Sequence, residues 1–173
     1  MLGTRCPAVN GDVPVDAWSV TISRAVPDGS WRARRVCVNM FTVCVEKRFS
    51  AVHRVRFVDG TVEPAHGHDW MVRAYFARVE LDAAGMVIDF GEAQAGLRDA
   101  VTRLHHTDLN TNEVLHGLNP TAEVVAKYVF DELAARGLVS IRRVEVTEAP
   151  GCVAMFEPIA SPAPPAMRDP RAD

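Results

Sequence analysis

The sequence predicts an α+β protein in which an antiparallel sheet is covered on one face by two helices. Segments with a two-residue hydrophobic period and segments with a helical period follow the order strand, strand, strand, helix, helix, strand, strand. Successive strands joined by short turns pair antiparallel, whereas a parallel sheet needs a long crossover between its strands. The order contains no glycine-rich phosphate-binding loop. A chain of 173 residues is long enough for one domain with its own core.

Composition excludes several functional classes. Hydrophobic residues make up 48% of the chain and charged residues 24%, with a formal net charge of -3, so we expect an ordinary soluble globular protein. The basic surplus of a nucleic-acid binder is missing, and we expect no nucleic-acid partner. No membrane span or secretory signal is visible, so we expect no membrane partner. The widely spaced cysteines lack a C-x-x-C motif and indicate reduced thiols in the cytoplasm; they are Cys6, Cys37, Cys44 and Cys152.

The two ends of the chain differ from its middle. Residues 1–39 mix proline and glycine with short apolar segments of no sustained period, which predicts a poorly ordered N-terminal extension. The alternative is an extension that packs on the domain, with WSVTIS (residues 18–23) as an extra edge strand. The pattern changes at Met40, so the domain is predicted to span residues 40–157. The proline- and alanine-rich residues 158–173 are predicted to be a disordered tail.

The first strands are indicated by alternation. From Phe41 onward, apolar and polar residues alternate with the period of a half-buried strand. The segment VDGT (residues 58–61) has the Asp-Gly chemistry of a turn, and DWMVRAYFARVELD, from Asp69, predicts a second long strand that pairs antiparallel with the first. The apolar segment MVIDF (residues 86–90) predicts a short third strand.

Two helices and two further strands follow. Residues 91–104 carry a helical apolar stripe formed by Ala93, Leu97, Ala100, Val101 and Leu104. In the second helix Asn119 is the predicted N-cap, Pro120 the first helical residue and Gly137 the stop signal. The segments SIRRVEVTE (residues 140–148) and CVAMFE (residues 152–157) predict the last two strands around an Ala-Pro-Gly turn.

The histidines of the segment EPAHGHDW (residues 63–70) indicate a metal site. On a strand, His66 and His68 point to the same face about 7 Å apart. His53 ends the first strand, and hairpin pairing would bring it alongside them. Three imidazole ligands without a fourth protein ligand are typical of a catalytic zinc. The alternative is that each histidine is a half-buried polar residue satisfied by a carbonyl group.

Six segments in a fixed order carry a family resemblance: FSAVH, HGHDW, GMVIDF, LHHTDLN, NPTAE and VEVTE. With this order and spacing the chain resembles the 6-pyruvoyltetrahydropterin synthase family, which includes the 6-carboxytetrahydropterin synthases, over residues 40–156. The resemblance implies the tunnelling fold, in which a four-stranded antiparallel sheet with two helices on one face assembles into a barrel-like homo-oligomer with active sites at subunit interfaces. It also implies Zn²⁺ held by His53, His66 and His68, and the small-molecule pterin substrate 7,8-dihydroneopterin triphosphate.

The resemblance also implies roles for residues around the metal. Glu148 matches the glutamate that anchors the pterin, because a carboxylate accepts two parallel hydrogen bonds from the guanidine-like edge of that ring. Thr147 would assist, and His106 matches the catalytic histidine. The alternative for Glu148 is a solvated charge at a strand end. Thr121 and Glu123, in NPTAE, have the simpler interpretation of a helix start.

Two positions depart from the family pattern. Val62 stands where the catalytic cysteine usually lies, and its side chain cannot exchange a proton. Glu63 follows, and family members with an E-x-x-H-G-H arrangement are associated with 6-hydroxymethyldihydropterin for folate synthesis, so Glu63 is the candidate general base; the alternative is a plain surface charge. His105 occupies the place of the relay aspartate, where an imidazole can still shuttle protons near neutral pH. Asp108 would replace that aspartate if the loop folds back.

The sequence therefore predicts a zinc-dependent lyase acting on the side chain of 7,8-dihydroneopterin triphosphate. Its product would be 6-carboxytetrahydropterin, on the route to queuosine, or 6-hydroxymethyldihydropterin. Because two positions of the usual proton relay differ, the alternative is a non-catalytic relative that binds a pterin or a metal.

Overall fold

The structure, a computed structural model, describes residues 39–159 in full and the backbone of residues 19–25 and 31–37. The predicted tail, apart from its first two residues, and much of the predicted extension lie outside the described residues. Within the extension, β1 (Ser19–Ala25) pairs antiparallel with β2 (Trp31–Cys37). These two strands form a sheet of their own, so the WSVTIS segment does not extend the edge of the main sheet.

The main sheet has four antiparallel strands in the order β3-β4-β5-β6, and two helices complete the domain. This arrangement confirms the predicted α+β class. The elements are β3 (Phe41–His53), β4 (His66–Arg78), α1 (Phe90–Thr102), a short 3-10 helix (Glu113–Leu115), α2 (Ala122–Ala135), β5 (Ile141–Ala149) and β6 (Cys152–Phe156).

The third strand that was predicted from MVIDF is wrong. Asp82 instead closes a turn: its Oδ1 accepts a hydrogen bond from the backbone N–H of Met86 at 2.9 Å, and its own N–H donates to the Met86 carbonyl at 2.9 Å. Asp89 then caps α1, with its Oδ1 accepting from the backbone N–H of Glu92 at 3.0 Å. The apolar pattern reflects burial of Val87 in the core rather than strand pairing. Local side-chain hydrogen bonds thus outweigh β propensity here.

The predicted N-cap of the second helix is also wrong. Thr121, not Asn119, caps α2, and its hydroxyl accepts from the backbone N–H of Val124 at 3.4 Å. The stop signal is confirmed, because Gly137 follows the C-cap residue with a φ of 82°, a left-handed conformation that glycine adopts without strain.

The core lies between one face of the sheet and the two helices. On β4, Trp70, Val72, Ala74 and Phe76 alternate with partly exposed residues and are fully buried. Burial of each large apolar side chain stabilises the fold by about 1.5–3 kcal/mol. Phe49 on β3 stacks on Trp70 with ring centroids 5.8 Å apart. This buried row runs along β3 and β4 and leads directly to the histidines at the end of the hairpin. No described helix is long and apolar enough to cross a membrane.

A chain that begins at Met40 is expected to keep the fold, because every element of the four-stranded sheet and both helices come from later residues. Gel filtration and thermal unfolding should show the same oligomer and nearly the same midpoint as the full chain, with equal zinc content. Aggregation of the shortened chain would show instead that residues 1–39 cover part of the domain.

Candidate metal centre

The ends of β3 and β4 bring three histidines together. In the antiparallel register His53 lies opposite His66, and Ala51 lies opposite His68. Strand alternation places the three imidazoles on the helix-covered face, in the same row as Trp70. Their ring centroids are 4.8 Å apart for His53 and His66, 5.2 Å for His53 and His68, and 4.7 Å for His66 and His68. The hairpin therefore brings the three predicted metal ligands into one cluster.

A carboxylate from β5 joins this cluster. Oε1 of Glu148 lies 2.8 Å from Nε2 of His53 and 3.6 Å from Nε2 of His68. One nitrogen of each histidine and one oxygen of Glu148 all lie within 4.8 Å of one another, and this group could hold a metal ion. The sequence interpretation placed no carboxylate among the ligands. A signal was present, because Glu148 continues the alternation of the buried Val144 and Val146.

Backbone carbonyls orient two of the imidazoles. Nδ1 of His53 lies 2.9 Å from the Pro120 carbonyl oxygen, and Nδ1 of His66 lies 2.9 Å from that of Pro64. A carbonyl oxygen only accepts hydrogen bonds, so in both rings Nδ1 carries the proton and Nε2 presents its lone pair to the cluster. This arrangement is the usual support for a metal-binding histidine. The predicted alternative was that each histidine is a polar residue hydrogen-bonded to a carbonyl group. In His53 and His66 such a bond accounts for Nδ1 only.

Two of the remaining ring nitrogens have no hydrogen-bond partner among the described residues. His53 is fully buried, and Nε2 of both His53 and His68 is buried without a hydrogen bond, because Glu148 approaches outside hydrogen-bond geometry. An unsatisfied buried polar atom costs about 1–3 kcal/mol. Burial lowers the pKa of His68; the Glu148 carboxylate opposes this shift, and His53 and His66 add to it. The neutral imidazole that results is the form that binds metal, so the donor set fits a metal ion.

Glu63 lies at the edge of the cluster. Its Oε1 accepts a hydrogen bond from the backbone N–H of Val55 at 2.7 Å and lies 3.9 Å from Nε2 of His66. The side chain is 24% exposed, so the carboxylate is held in place rather than free in solvent. The neighbouring Val62 is exposed, and its backbone pairs antiparallel with that of Arg56.

His105 and His106 lie on a loop along the outer edge of β3. Their rings stack with centroids 3.7 Å apart. Nδ1 of His105 accepts a hydrogen bond from the backbone N–H of Ser50 at 3.0 Å, and the backbone N–H of His106 donates to the Ser50 carbonyl at 2.7 Å. His105 therefore anchors the loop through Nδ1, and that atom is not available to relay a proton.

Asp108 does not orient His106 in this structure. Its Oδ1 accepts from the backbone N–H of Asn110 at 2.9 Å, and its Oδ2 lies 3.4 Å from a guanidinium nitrogen of Arg54. The hydrogen bonds and ion pairs of the described residues include none between Asp108 and His106. The loop folds back onto β3, but its carboxylate faces Arg54.

Two grooves are lined in part by residues of the cluster. One, of about 640 Å³, is lined by His68 together with His106. The other, of about 500 Å³, is lined by Glu63 and Glu148. Thr147 does not join Glu148, because strand alternation turns it to the opposite face, where it pairs with Met71.

The sheet and its helices define the class of this protein, which is the tunnelling fold. The structure of Caenorhabditis elegans 6-pyruvoyl tetrahydropterin synthase is similar, with a TM-score of 0.61 at 18% identity over 70% of this chain and 98% of that one. A Plasmodium vivax 6-pyruvoyltetrahydropterin synthase, in a variant with a catalytic glutamate changed to alanine, has a TM-score of 0.56 at 19% identity over 68% of this chain and 97% of that one.

The sequence then specifies the family. The chain belongs to the 6-pyruvoyl tetrahydropterin synthase family, whose model matches residues 42–158. A curated relative, the 6-carboxy-5,6,7,8-tetrahydropterin synthase of Synechocystis sp., is 31% identical over 128 residues, which cover 71% of this chain and 98% of the relative. Membership supports a lyase activity of the pterin synthase type.

Proposed function

We propose that this protein is a zinc-dependent lyase that acts on the side chain of 7,8-dihydroneopterin triphosphate. The observation that carries the proposal is the cluster of His53, His66 and His68, in which Nε2 of His53 and of His68 is buried without a hydrogen-bond partner among the described residues. Glu63 and Glu148 lie beside this cluster. The product that we favour is 6-carboxytetrahydropterin, since the Synechocystis relative is named for it.

His53, His66 and His68 would hold the zinc through their Nε2 atoms. Three neutral imidazoles with a position left open are the donor set of a catalytic rather than a structural zinc. When bound, the ion supplies a Lewis acid that lowers the pKa of a hydroxyl on the substrate side chain. The carbonyls of Pro120 and Pro64 keep two of these rings in the tautomer that binding requires.

Glu148 would hold the pterin ring. Its side chain is partly exposed and lines the same groove as Glu63, so a ligand can reach the carboxylate. Two parallel hydrogen bonds from the pterin edge would orient the ring and place its side chain towards the histidines.

Glu63 would take the proton from the substrate side chain. It is the carboxylate that contacts the cluster from the loop where Val62 replaces the usual cysteine. The Plasmodium vivax enzyme, which has the same fold, is also described as having a catalytic glutamate. The glutamate makes 6-hydroxymethyldihydropterin a second candidate product. The family resemblance associates the E-x-x-H-G-H arrangement with cleavage of the substrate side chain to this product.

His105 and His106 would act in the site of a second copy of the chain. Both side chains are exposed, and the described hydrogen bonds, ion pairs and ring contacts include none between them and the metal cluster, although His106 and His68 line one groove. The four-stranded sheet is open, with exposed apolar residues on both edge strands, namely Phe41 on β3 and Val153 and Met155 on β6. Unpaired edges of this kind favour association between strands of neighbouring copies. We therefore propose a homo-oligomeric barrel with active sites at its interfaces.

Product analysis tests the function directly. The zinc-loaded protein is incubated with 7,8-dihydroneopterin triphosphate, and the pterins are identified by mass spectrometry. Formation of 6-carboxytetrahydropterin would support the favoured product, and 6-hydroxymethyldihydropterin the second. Binding of zinc and pterin with no product would instead show a non-catalytic relative.

Replacing Glu148 with glutamine tests whether this carboxylate binds the pterin or the metal. We expect zinc content to stay near that of the wild type and pterin affinity to fall by about 10- to 100-fold, since a charged hydrogen-bonding partner is worth about 1.5–3 kcal/mol. Elemental analysis and fluorescence titration with a pterin measure the two effects. Glu123→Gln, which changes another carboxylate of the same groove, is the matched control. Loss of zinc from Glu148→Gln would make Glu148 a metal ligand.

A further inference from the structure

A third groove, of about 660 Å³, lies beside the candidate active site and is lined by two arginines, Arg54 and Arg56. Its lining also includes the apolar Phe57 and Leu118, and it contains no aspartate or glutamate. Cationic side chains on a partly apolar surface whose lining holds no carboxylate favour an anionic ligand.

Two asparagine side chains hold the backbone of these arginines. The Asn110 amide accepts from the Arg54 N–H at 2.9 Å and donates to the Arg54 carbonyl at 2.8 Å. The Asn119 amide does the same for Arg56, accepting at 2.9 Å and donating at 2.9 Å. Each amide thus makes the two backbone hydrogen bonds that a neighbouring strand would otherwise make. Because residues two apart in extended backbone point to the same side, the groove presents both arginines from a fixed backbone.

The charges of the two arginines are poorly neutralised. Arg54 lies 3.4 Å from Asp108, with side chains 46% and 33% exposed, and such solvent-screened pairs are weak. Arg56 makes no ion pair with any of the described residues. The planar guanidinium groups present paired N–H donors that match phosphate oxygens.

This groove adjoins the candidate site. Arg54 directly follows His53 of the metal cluster. Phe57 lines both this groove and the groove that contains Glu63 and Glu148. In the proposed substrate the reacting side chain lies between the pterin ring and the triphosphate, so a phosphate subsite has to adjoin the metal centre in this way.

We propose that Arg54 and Arg56 form the subsite for the triphosphate group of the substrate. The identity of this ligand as a triphosphate rests on the proposed function, whereas its chemistry, an anion with phosphate-type oxygens, is argued from the two arginines. The asparagines are positioning residues that keep the arginine backbone in place.

Binding of inorganic tripolyphosphate tests the subsite without catalysis. Isothermal titration of the zinc-loaded wild type should show binding that weakens at least about 10-fold in the Arg54→Ala, Arg56→Ala double variant. Arg98→Ala, which removes an exposed arginine of α1 outside the groove, should match the wild type. Arg56→Lys should keep part of the affinity, because lysine retains the positive charge but lacks the paired N–H donors of the guanidinium group. Affinity that is absent in the wild type or unchanged in the double variant would overturn the proposal.

Steady-state kinetics distinguish failure of the phosphate-subsite proposal from failure of the proposed function. The double variant should show a rise of about 10-fold or more in KM for 7,8-dihydroneopterin triphosphate, with its zinc content unchanged. An equal KM in the two proteins would overturn the subsite alone. A wild type that makes no product would overturn the function, and tripolyphosphate titration would still decide whether the arginines bind phosphate.

Discussion

Replacing His66 with alanine is expected to strip zinc from the protein and to abolish turnover. His66 supplies one of the three imidazoles, and loss of a ligand should exceed the roughly 10- to 100-fold loss in affinity that follows removal of a supporting residue. Its side chain is 40% exposed, so the fold should survive. His53 is a poorer probe, because it is fully buried and packs against Trp70 with ring centroids 4.8 Å apart.

Elemental analysis after dialysis measures this effect, with circular dichroism as the test of folding. His116→Asn is the matched control, because His116 has a φ of 52° and lies outside the cluster, and asparagine tolerates that left-handed conformation. Full zinc occupancy in the His66 variant would remove this histidine from the metal site.

The second large effect is expected from Glu63→Gln. General base catalysis typically contributes ~100- to 10,000-fold, so turnover should fall by a factor in that range. The glutamine oxygen can still accept the hydrogen bond from the Val55 N–H, which keeps the loop in place. Zinc content and pterin affinity should therefore stay close to those of the wild type. Single-turnover kinetics with 7,8-dihydroneopterin triphosphate measure the chemical step.

Glu80→Gln, on an exposed segment after β4, is the control for loss of a carboxylate. Wild-type turnover in the Glu63 variant would leave Glu63 without a catalytic role. Val62→Cys introduces the residue type that the family resemblance implies for that position. If its product differs from that of the wild type, the choice between cysteine and glutamate decides which bond breaks.

Much of the fold was predictable from periodicity. The long alternating segments became β3 and β4, and the helical stripes became α1 and α2. The predicted strand at MVIDF failed because Asp82 and Asp89 use their side chains to form a turn and a helix cap. Such local hydrogen bonds compete with strand pairing, and apolar periodicity does not register them.

The site was predictable in part for the same reason. His66 and His68 share a face because strand side chains alternate, and the antiparallel hairpin then sets His53 opposite His66. Family resemblance added the expected roles of Glu63, His106 and Glu148. Neither argument indicated that Arg54 and Arg56 would be held by asparagine side chains from distant loops.

For the long strands and the helices, local patterns were enough to predict which side chains share a face, because that depends on the geometry of neighbouring residues along one strand or helix. Which elements contact each other became known from the folded structure. Pairing of β4 with β5 brings Glu148 to the histidines, whereas the loop after α1 holds His105 and His106 at the outer edge of β3. These placements depend on packing and hydrogen bonds between residues far apart in the chain, and a local pattern does not encode them.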